Sequence, residues 1–357
     1  MRYADHSIYR VGKAVWRSTF RNFILRNRPF FAHMIMTKRC NLRCTYYEAW
    51  RVPPNPNELS TSEWFKVIDK LDELGVYVLS FTGGEPLLKP GVFDIIRYSR
   101  SEGFYTRLTS NGTLTERLYE DLLDSGVNSI SVSLDSAEPD TQDRLSGVAG
   151  GWEKTVRTLR FLLANARPRQ VISASAMVTP YNTHEIIPIV DFCSNDLQCP
   201  VFLQPVVSGQ MSDDTYRFRP MGDDIPKFDS KEVKKLYCKL RQRLLNSRLI
   251  TPYTFLSISQ RYLQTGEYKW KCKAGRLFFD IMPDGELSLC QDIGFRESKY
   301  ALEDDFVSWF KGRSRQEIAK QQCADCAGCC YSCYVCSQYL FSWRLPDILG
   351  VAVKNIH

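Results

Sequence analysis

Between residues 31 and 205 the chain alternates short apolar runs with longer stretches in which apolar residues recur every three or four positions. Short runs rich in β-branched and aromatic residues predict strands, and the longer periodic stretches predict amphipathic helices. Strands are expected over 31–36, 76–82, 105–110, 129–134, 171–178 and 201–205, with helices over 61–74, 92–102, 115–125, 152–165 and 185–193. This alternation argues for βα units around a parallel sheet, and six such units suffice to close most of a barrel. In parallel α/β folds ligands collect at the carboxyl ends of the strands, so the loops that follow the strands are where chemistry is expected.

Both flanks differ from this middle. Residues 6–27 place Ile8, Val11, Val15, Trp16, Phe20, Phe23 and Ile24 at helical spacing, with Arg10, Lys13, Arg17 and Arg21 between them and Pro29 as the stop. A basic amphipathic helix of this kind suits packing on the main domain or peripheral contact with a membrane surface. The pattern divides the chain into an N-terminal helix at 1–29, an α/β unit at 30–225, a helical linker at 226–262, a cysteine-rich part at 263–345 and an apolar tail at 346–357.

A chain of 357 residues with 44% hydrophobic content can bury one large core and a smaller module. The excess of 47 basic over 40 acidic residues gives +7. No run of five or more like charges and no recognised nucleic-acid module accompanies it, so no nucleic-acid partner is expected. No apolar stretch reaches the roughly 18 residues of a membrane span, and the N-terminus lacks the apolar core of a secretion signal, so the expected location is cytoplasmic.

Thirteen cysteines in a long chain of this character suggest metal or cluster ligands rather than disulfides. Cys193, Cys199 and Cys238 are scattered and are expected to be buried hydrophobes. Two others stand in Cys40-Asn41-Leu42-Arg43-Cys44-Thr45-Tyr46-Tyr47, directly after the first predicted strand, and eight fall between 272 and 336. After the second predicted strand comes Thr82-Gly83-Gly84-Glu85-Pro86. There two residues without Cβ would let a ligand approach the backbone, and a carboxylate can accept from an ammonium. Ser110-Asn111-Gly112 and Ser133-Leu134-Asp135 end later strands. Taken alone these last segments suit Asx turns and helix caps as well as ligand contacts.

Together the motifs resemble the radical S-adenosylmethionine (SAM) superfamily. In that family Cys-x3-Cys-x2-Cys holds a 4Fe-4S cluster whose open iron is chelated by SAM. The resemblance implies a partial (β/α)6, TIM-like barrel, with Cys40 and Cys44 as cluster ligands and Tyr47 standing at a vacant third ligand position. It assigns Gly83, Gly84 and Glu85 to the SAM amino group, and Ser110, Asn111, Ser133 and Asp135 to its ribose and carboxylate. Arg144 is a further carboxylate candidate, with a plain surface charge as its alternative. The fifth strand lacks the Gly-x-Ile-x-Gly pattern of many relatives, so nothing is carried over there.

The C-terminal cysteines resemble the SPASM or twitch extension of the same family: Cys272, Gly285 before Cys290, then Cys323-x2-Cys326-x2-Cys329-Cys330-x2-Cys333-x2-Cys336. Segments 277–281 and 286–289 around Pro283-Asp284-Gly285 read as the hairpin of such a module. One auxiliary 4Fe-4S cluster is expected, on Cys272 and Cys290 with ligands from Cys326, Cys329 and Cys333. Cys323, Cys330 and Cys336 leave a second cluster open, and a thiolate-rich zinc site is the alternative. Asp292, just after Cys290, is a candidate base.

The implied activity is reductive cleavage of SAM and hydrogen abstraction, in peptide modification or cofactor and natural-product biosynthesis. A lipid or other small-molecule substrate is the alternative. An external electron donor such as flavodoxin or ferredoxin is implied as a partner. Tyr47 supports a reading of another class, a non-catalytic SAM- and cluster-binding scaffold.

Overall fold

A computed structural model of the chain describes residues 29–46, 49–51, 53, 55–207, 227–266, 270–326 and 328–340. The helix expected over 6–27, Tyr47 and the apolar tail at 346–357 lie outside the described residues.

Strands and helices alternate as the pattern predicts: β1 (Phe31–Ile35), α1 (Thr61–Leu74), β2 (Val78–Thr82), α2 (Val92–Ser101), β3 (Tyr105–Ser110), α3 (Glu116–Asp124) and β4 (Ser129–Ser133). Next come α4 (Pro139–Ser146), α5 (Gly151–Asn165), β5 (Val171–Val178), α6 (Ile186–Asn195) and β6 (Val201–Pro205). Helix α1 shows how local chemistry sets these limits. The Ser60 hydroxyl accepts from the Glu63 amide, Glu63 reaches back to the Ser60 amide, and Gly75 closes the helix at φ 82°. Its buried face is Trp64, Val67, Ile68, Leu71 and Leu74. Helix α4, short and polar, has no apolar periodicity to announce it.

The expected linker is a pair of helices packed on one another, α7 (Ser230–Asn246) and α8 (Tyr253–Thr265). Cys193 and Cys199 are buried as expected, whereas Cys238 is exposed on α7. Beyond them lie the hairpin strands β7 (Phe278–Ile281) and β8 (Leu287–Ser288), then α9 (Phe306–Lys311), α10 (Arg313–Asp325) and α11 (Ser332–Leu340).

All eight strands form one sheet in the order β6-β5-β4-β3-β2-β1-β7-β8. Strands β1 to β6 run parallel to their neighbours, and β7 pairs in parallel with β1, Phe31 opposite Phe278 and His33 opposite Asp280. The hairpin of the cysteine-rich region is thus built onto the sheet of the α/β unit. Strands β6 and β8 are the sheet's edges, and no described strand pairing joins them into a closed barrel.

Register and alternation separate two faces. On one, Leu79, Phe81, Leu108, Ile130, Val132, Ala174 and Leu203 share a core with Leu122 of α3, Leu159 of α5 and Ile189 of α6. Across the other run Asp280, His33, Ser80, Arg107 and Ser129 in a single row. A polar row is unusual in a parallel sheet, whose two faces are generally apolar under covering helices.

The cysteine-rich region covers this polar face. Gln204 of β6 donates to the Cys330 carbonyl at 3.0 Å and accepts from the Ser332 amide at 2.8 Å. At the far side Tyr334 of α11 donates to Asp280 at 2.8 Å, and Asp280 lies 3.0 Å from His33 Nδ1. The segment from Cys330 to Tyr334 therefore spans from β6 to β1 and β7, bridging the open sheet.

Candidate active site

The loop after β1 carries Cys40 and Cys44 and is held by backbone bonds on both sides. The Gly84 amide donates to the Thr37 carbonyl and the Glu85 amide to the Arg39 carbonyl, each at 2.8 Å. On the other side the Arg43 and Thr45 amides donate to the Ser146 and Leu145 carbonyls of α4, each at 2.9 Å.

These bonds revise the reason expected for the glycine pair. A Cβ on Gly83 would stand 2.4 Å from the Thr37 oxygen, and one on Gly84 would stand 2.2 Å from the Arg39 oxygen. The missing side chains make room for the cysteine loop, not in the first place for a ligand. Gly84→Ala is expected to cost about 1–3 kcal/mol, as overpacking does. A lowered denaturant midpoint with an unchanged slope would register it.

Glu85 is bonded within the protein as well. It is fully buried, and its oxygens already accept from the Leu87 amide at 3.2 Å, the Asn111 amide at 2.8 Å and the Ser110 hydroxyl at 3.1 Å. Burial pushes its carboxyl up to about 7, against those three donors. Its main bonds tie the β2 and β3 loops together. Oε1, with one donor, retains capacity for an ammonium.

Asn111 extends this tie to the cysteines. Its side-chain Nδ2 donates to Asn41 Oδ1 at 2.7 Å and lies 4.0 Å from Cys40 Sγ. Burial raises the Cys40 thiol above its usual range and pushes Cys44 up to about 12, with Asp135 and Cys40 adding to the latter. Two neighbouring thiols of this kind suit a metal group, whose positive charge reverses the cost of ionising them. The donor set fits a 4Fe-4S cluster at these two positions; residue 47 lies outside the described residues.

Asp135 meets the same loop. It accepts from the Tyr46 hydroxyl and from the Met177 amide at 2.7 Å, and burial lifts its carboxyl to about 6. Tyr46 was not singled out by sequence reasoning; its place between Cys44 and the third ligand position was the available signal. Ser133 is half-buried at the end of β4 with no side-chain partner among the described residues. Arg144 is exposed on α4, and among the described residues its guanidinium reaches only Thr141 Oγ1, at 3.5 Å.

The second group of thiols lies under the hairpin and α11. Cys272 and Cys323 share a hydrogen bond that pushes Cys272 up and Cys323 down. Burial raises Cys290, Cys329, Cys330 and Cys333, and the neighbouring Cys329 adds to the rise of the other three. Cys323 thus stands beside Cys272. Cys330 is turned instead into the core, 3.9 Å from the Ser259 hydroxyl and beside Tyr237. Among the described residues no three Cys, His, Asp or Glu side chains converge on a single-ion site, and the thiols stand as neighbours in a wider group.

Asp292 borders this group. Tyr331 donates to it at 2.7 Å, and burial raises its carboxyl to about 7. Gln291, between Asp292 and Cys290, donates its amide to the Tyr334 hydroxyl at 3.0 Å. The cysteine hairpin is thus linked to the His33–Asp280 pair through one phenol.

Comparison with known proteins agrees with this geometry. Residues 34–193 match the model of the radical SAM superfamily. An AdoMet-dependent heme synthase of Methanosarcina barkeri is 34% identical over 164 residues, 45% of this chain and 46% of the relative. A PqqA peptide cyclase of Rhodopseudomonas palustris is 30% identical over 166 residues, 46% of this chain and 43% of the relative. The chain thus matches somewhat under half the length of these curated relatives. Among solved structures, Streptococcus suis SuiB bound to the precursor peptide SuiA superposes with TM-score 0.64 at 18% identity, over 86% of this chain and 70% of SuiB. Native anSMEcpe with bound AdoMet gives 0.61 at 15% identity, over 91% and 99%. At such identities these two show the fold alone. Residues 34–193 of this chain are a radical SAM domain, joined to a cysteine-rich region that fits the auxiliary module of SPASM-type relatives.

Proposed function

We propose that the chain is a radical SAM enzyme that cleaves SAM reductively and abstracts hydrogen from a peptide. The meeting of three loops carries this reading: Cys40 and Cys44 after β1, Gly84 and Glu85 after β2, and Asn111 after β3, all at the carboxyl ends of parallel strands. When bound there, a 4Fe-4S cluster with SAM supplies one-electron cleavage and a hydrogen-abstracting radical.

The chain's own residues do the rest. Cys40 and Cys44 would hold the cluster, Glu85 Oε1 would accept from the SAM ammonium, and Asp135 is placed for another polar group of SAM. Cys272 and Cys290, with further ligands from among Cys326, Cys329 and Cys333 to make four thiolates, would hold the auxiliary cluster, and Asp292 beside them would take the substrate's proton. Peptide substrates are supported by the relatives named for peptide cyclisation and by the fold shared with a protein solved with its precursor peptide. Tyr47 supports the second reading, a scaffold that binds these groups without turnover.

Metal analysis tests the assignment. Purified anaerobically, the protein is expected to contain iron and acid-labile sulfide. Cys272→Ala with Cys290→Ala should remove the auxiliary absorbance while leaving the far-ultraviolet dichroism in place. Stoichiometric zinc without sulfide would replace the proposal with a zinc module.

A further inference from the structure

The polar face of the sheet contains a cation that no described residue neutralises. Arg107 stands midway along β3, opposite Ser80 of β2 and Ser129 of β4. It is half-buried, and among the described residues its guanidinium makes no hydrogen bond and no ion pair. The carboxylates nearby are already engaged: Asp280 by His33 and Tyr334, Asp292 by Tyr331. Elsewhere the fold does satisfy a buried guanidinium, since Arg315 donates to the Phe310 carbonyl at 2.8 Å and to that of Gly275.

Two hydroxyls on the same face share this condition. Ser80 is 4% exposed and Ser131 8% exposed, and neither has a side-chain partner among the described residues. A guanidinium with two unpaired hydroxyls on the same face offers an outside anion a charge-assisted set of donors. The cysteine-rich region lies across this face and brings Cys333 within reach of Arg107's charge. A group held by Arg107 would therefore sit between the sheet and the auxiliary thiols.

We propose that Arg107 is a specificity-determining residue that receives a carboxylate of the substrate, with Ser80 and Ser131 as flanking hydrogen-bonding groups. This rests on the peptide reading above and deepens it: the peptide taken is one with an Asp or Glu side chain, or a free C-terminus, near the reacting carbon. The guanidinium's planar fork matches a carboxylate with two parallel bonds. One arginine balances one negative charge; a phosphate dianion would leave an excess beside the cysteines.

The test uses the full chain and two probes. In a displayed library of random peptides, the protein is expected to enrich Asp, Glu or a free C-terminal carboxylate at one fixed position, and Arg107→Gln to lose that enrichment. For a synthetic peptide from the pool, exchanging the acid for its amide and exchanging Arg107→Gln should each weaken binding about ten- to a hundredfold. Combined, they should do little more than either alone. Arg107→Lys should retain part of the affinity. The second probe is a porphyrin polycarboxylate, chosen because other relatives are named for heme synthesis. Arg107-dependent binding of the porphyrin without peptide enrichment would keep the arginine's role and reject the peptide reading. If neither probe depends on Arg107, or if Arg107→Gln changes only the spectrum of the auxiliary iron, the proposal is wrong and the arginine serves Cys333 instead.

Discussion

Tyr47→Cys is expected to raise 5′-deoxyadenosine formation by the iron- and sulfide-reconstituted protein, with dithionite as reductant, on the order of a hundredfold or more. Loss of a group that merely orients a metal ligand costs about 10- to 100-fold, and loss of the ligand itself should exceed this. A phenol ionises near pH 10 and a thiol near 8.5, so at neutral pH tyrosine surrenders its proton to a metal less readily. Its ring also carries the oxygen farther from the backbone than a cysteine sulfur reaches. Around the two cysteines, Asn111 approaches Cys40, and the Tyr46 hydroxyl, bonded to Asp135, also meets Cys44. Product should be quantified by chromatography at equal iron loading. Vigorous turnover by the chain with Tyr47 would make the phenol a working ligand, and no gain from the cysteine would move the fault elsewhere.

Asp280→Ala should give the largest loss of stability, about 1–3 kcal/mol for each buried group that it leaves unpaired. The carboxylate has no exposure and binds His33 of β1 and Tyr334 of α11 at once. Its removal leaves two buried polar groups with nothing opposite them and unlinks the Gln291 amide through Tyr334. Against a typical total of about 5–15 kcal/mol this is a large fraction. The auxiliary iron content should fall in parallel, since Cys290 and Cys333 flank the same carboxylate. Asp280→Asn keeps an acceptor and should cost less. Equal denaturation midpoints for wild type and Asp280→Ala would reject the linking role.

Much of the frame was legible in local pattern. Strands β3, β5 and β6 and helix α1 begin and end where periodicity and caps put them. The cysteine and glycine motifs fell at strand ends because each follows an apolar run. What escaped was non-local. No periodicity announces that β7 pairs with β1, or that Gly83 and Gly84 are glycine because Thr37 and Arg39 press on them. The helices α10 and α11 lack a clear apolar stripe, since Arg315 and Gln322 are among the buried positions of the first and Ser337 among those of the second. Arg107 was passed over for a different reason. Tyr-Thr-Arg-Leu-Thr-Ser and Ser-Ile-Ser-Val-Ser alternate polar with apolar residues, and that alternation was a readable sign that one face of this parallel sheet is not a core.

The pairing of β7 with β1 also orders events during synthesis. The contact between His33 and Asp280 closes a loop of 247 residues. Until the ribosome has released that length, β1 waits with one hydrogen-bonding edge bare, next to a sheet already long enough to template strangers. Contacts so far apart in sequence slow folding, and a waiting edge invites aggregation in the interval. Low expression temperature and ready iron–sulfur supply should therefore improve soluble yield more than any change at the surface, and a chain cut before residue 278 should collect in inclusion bodies.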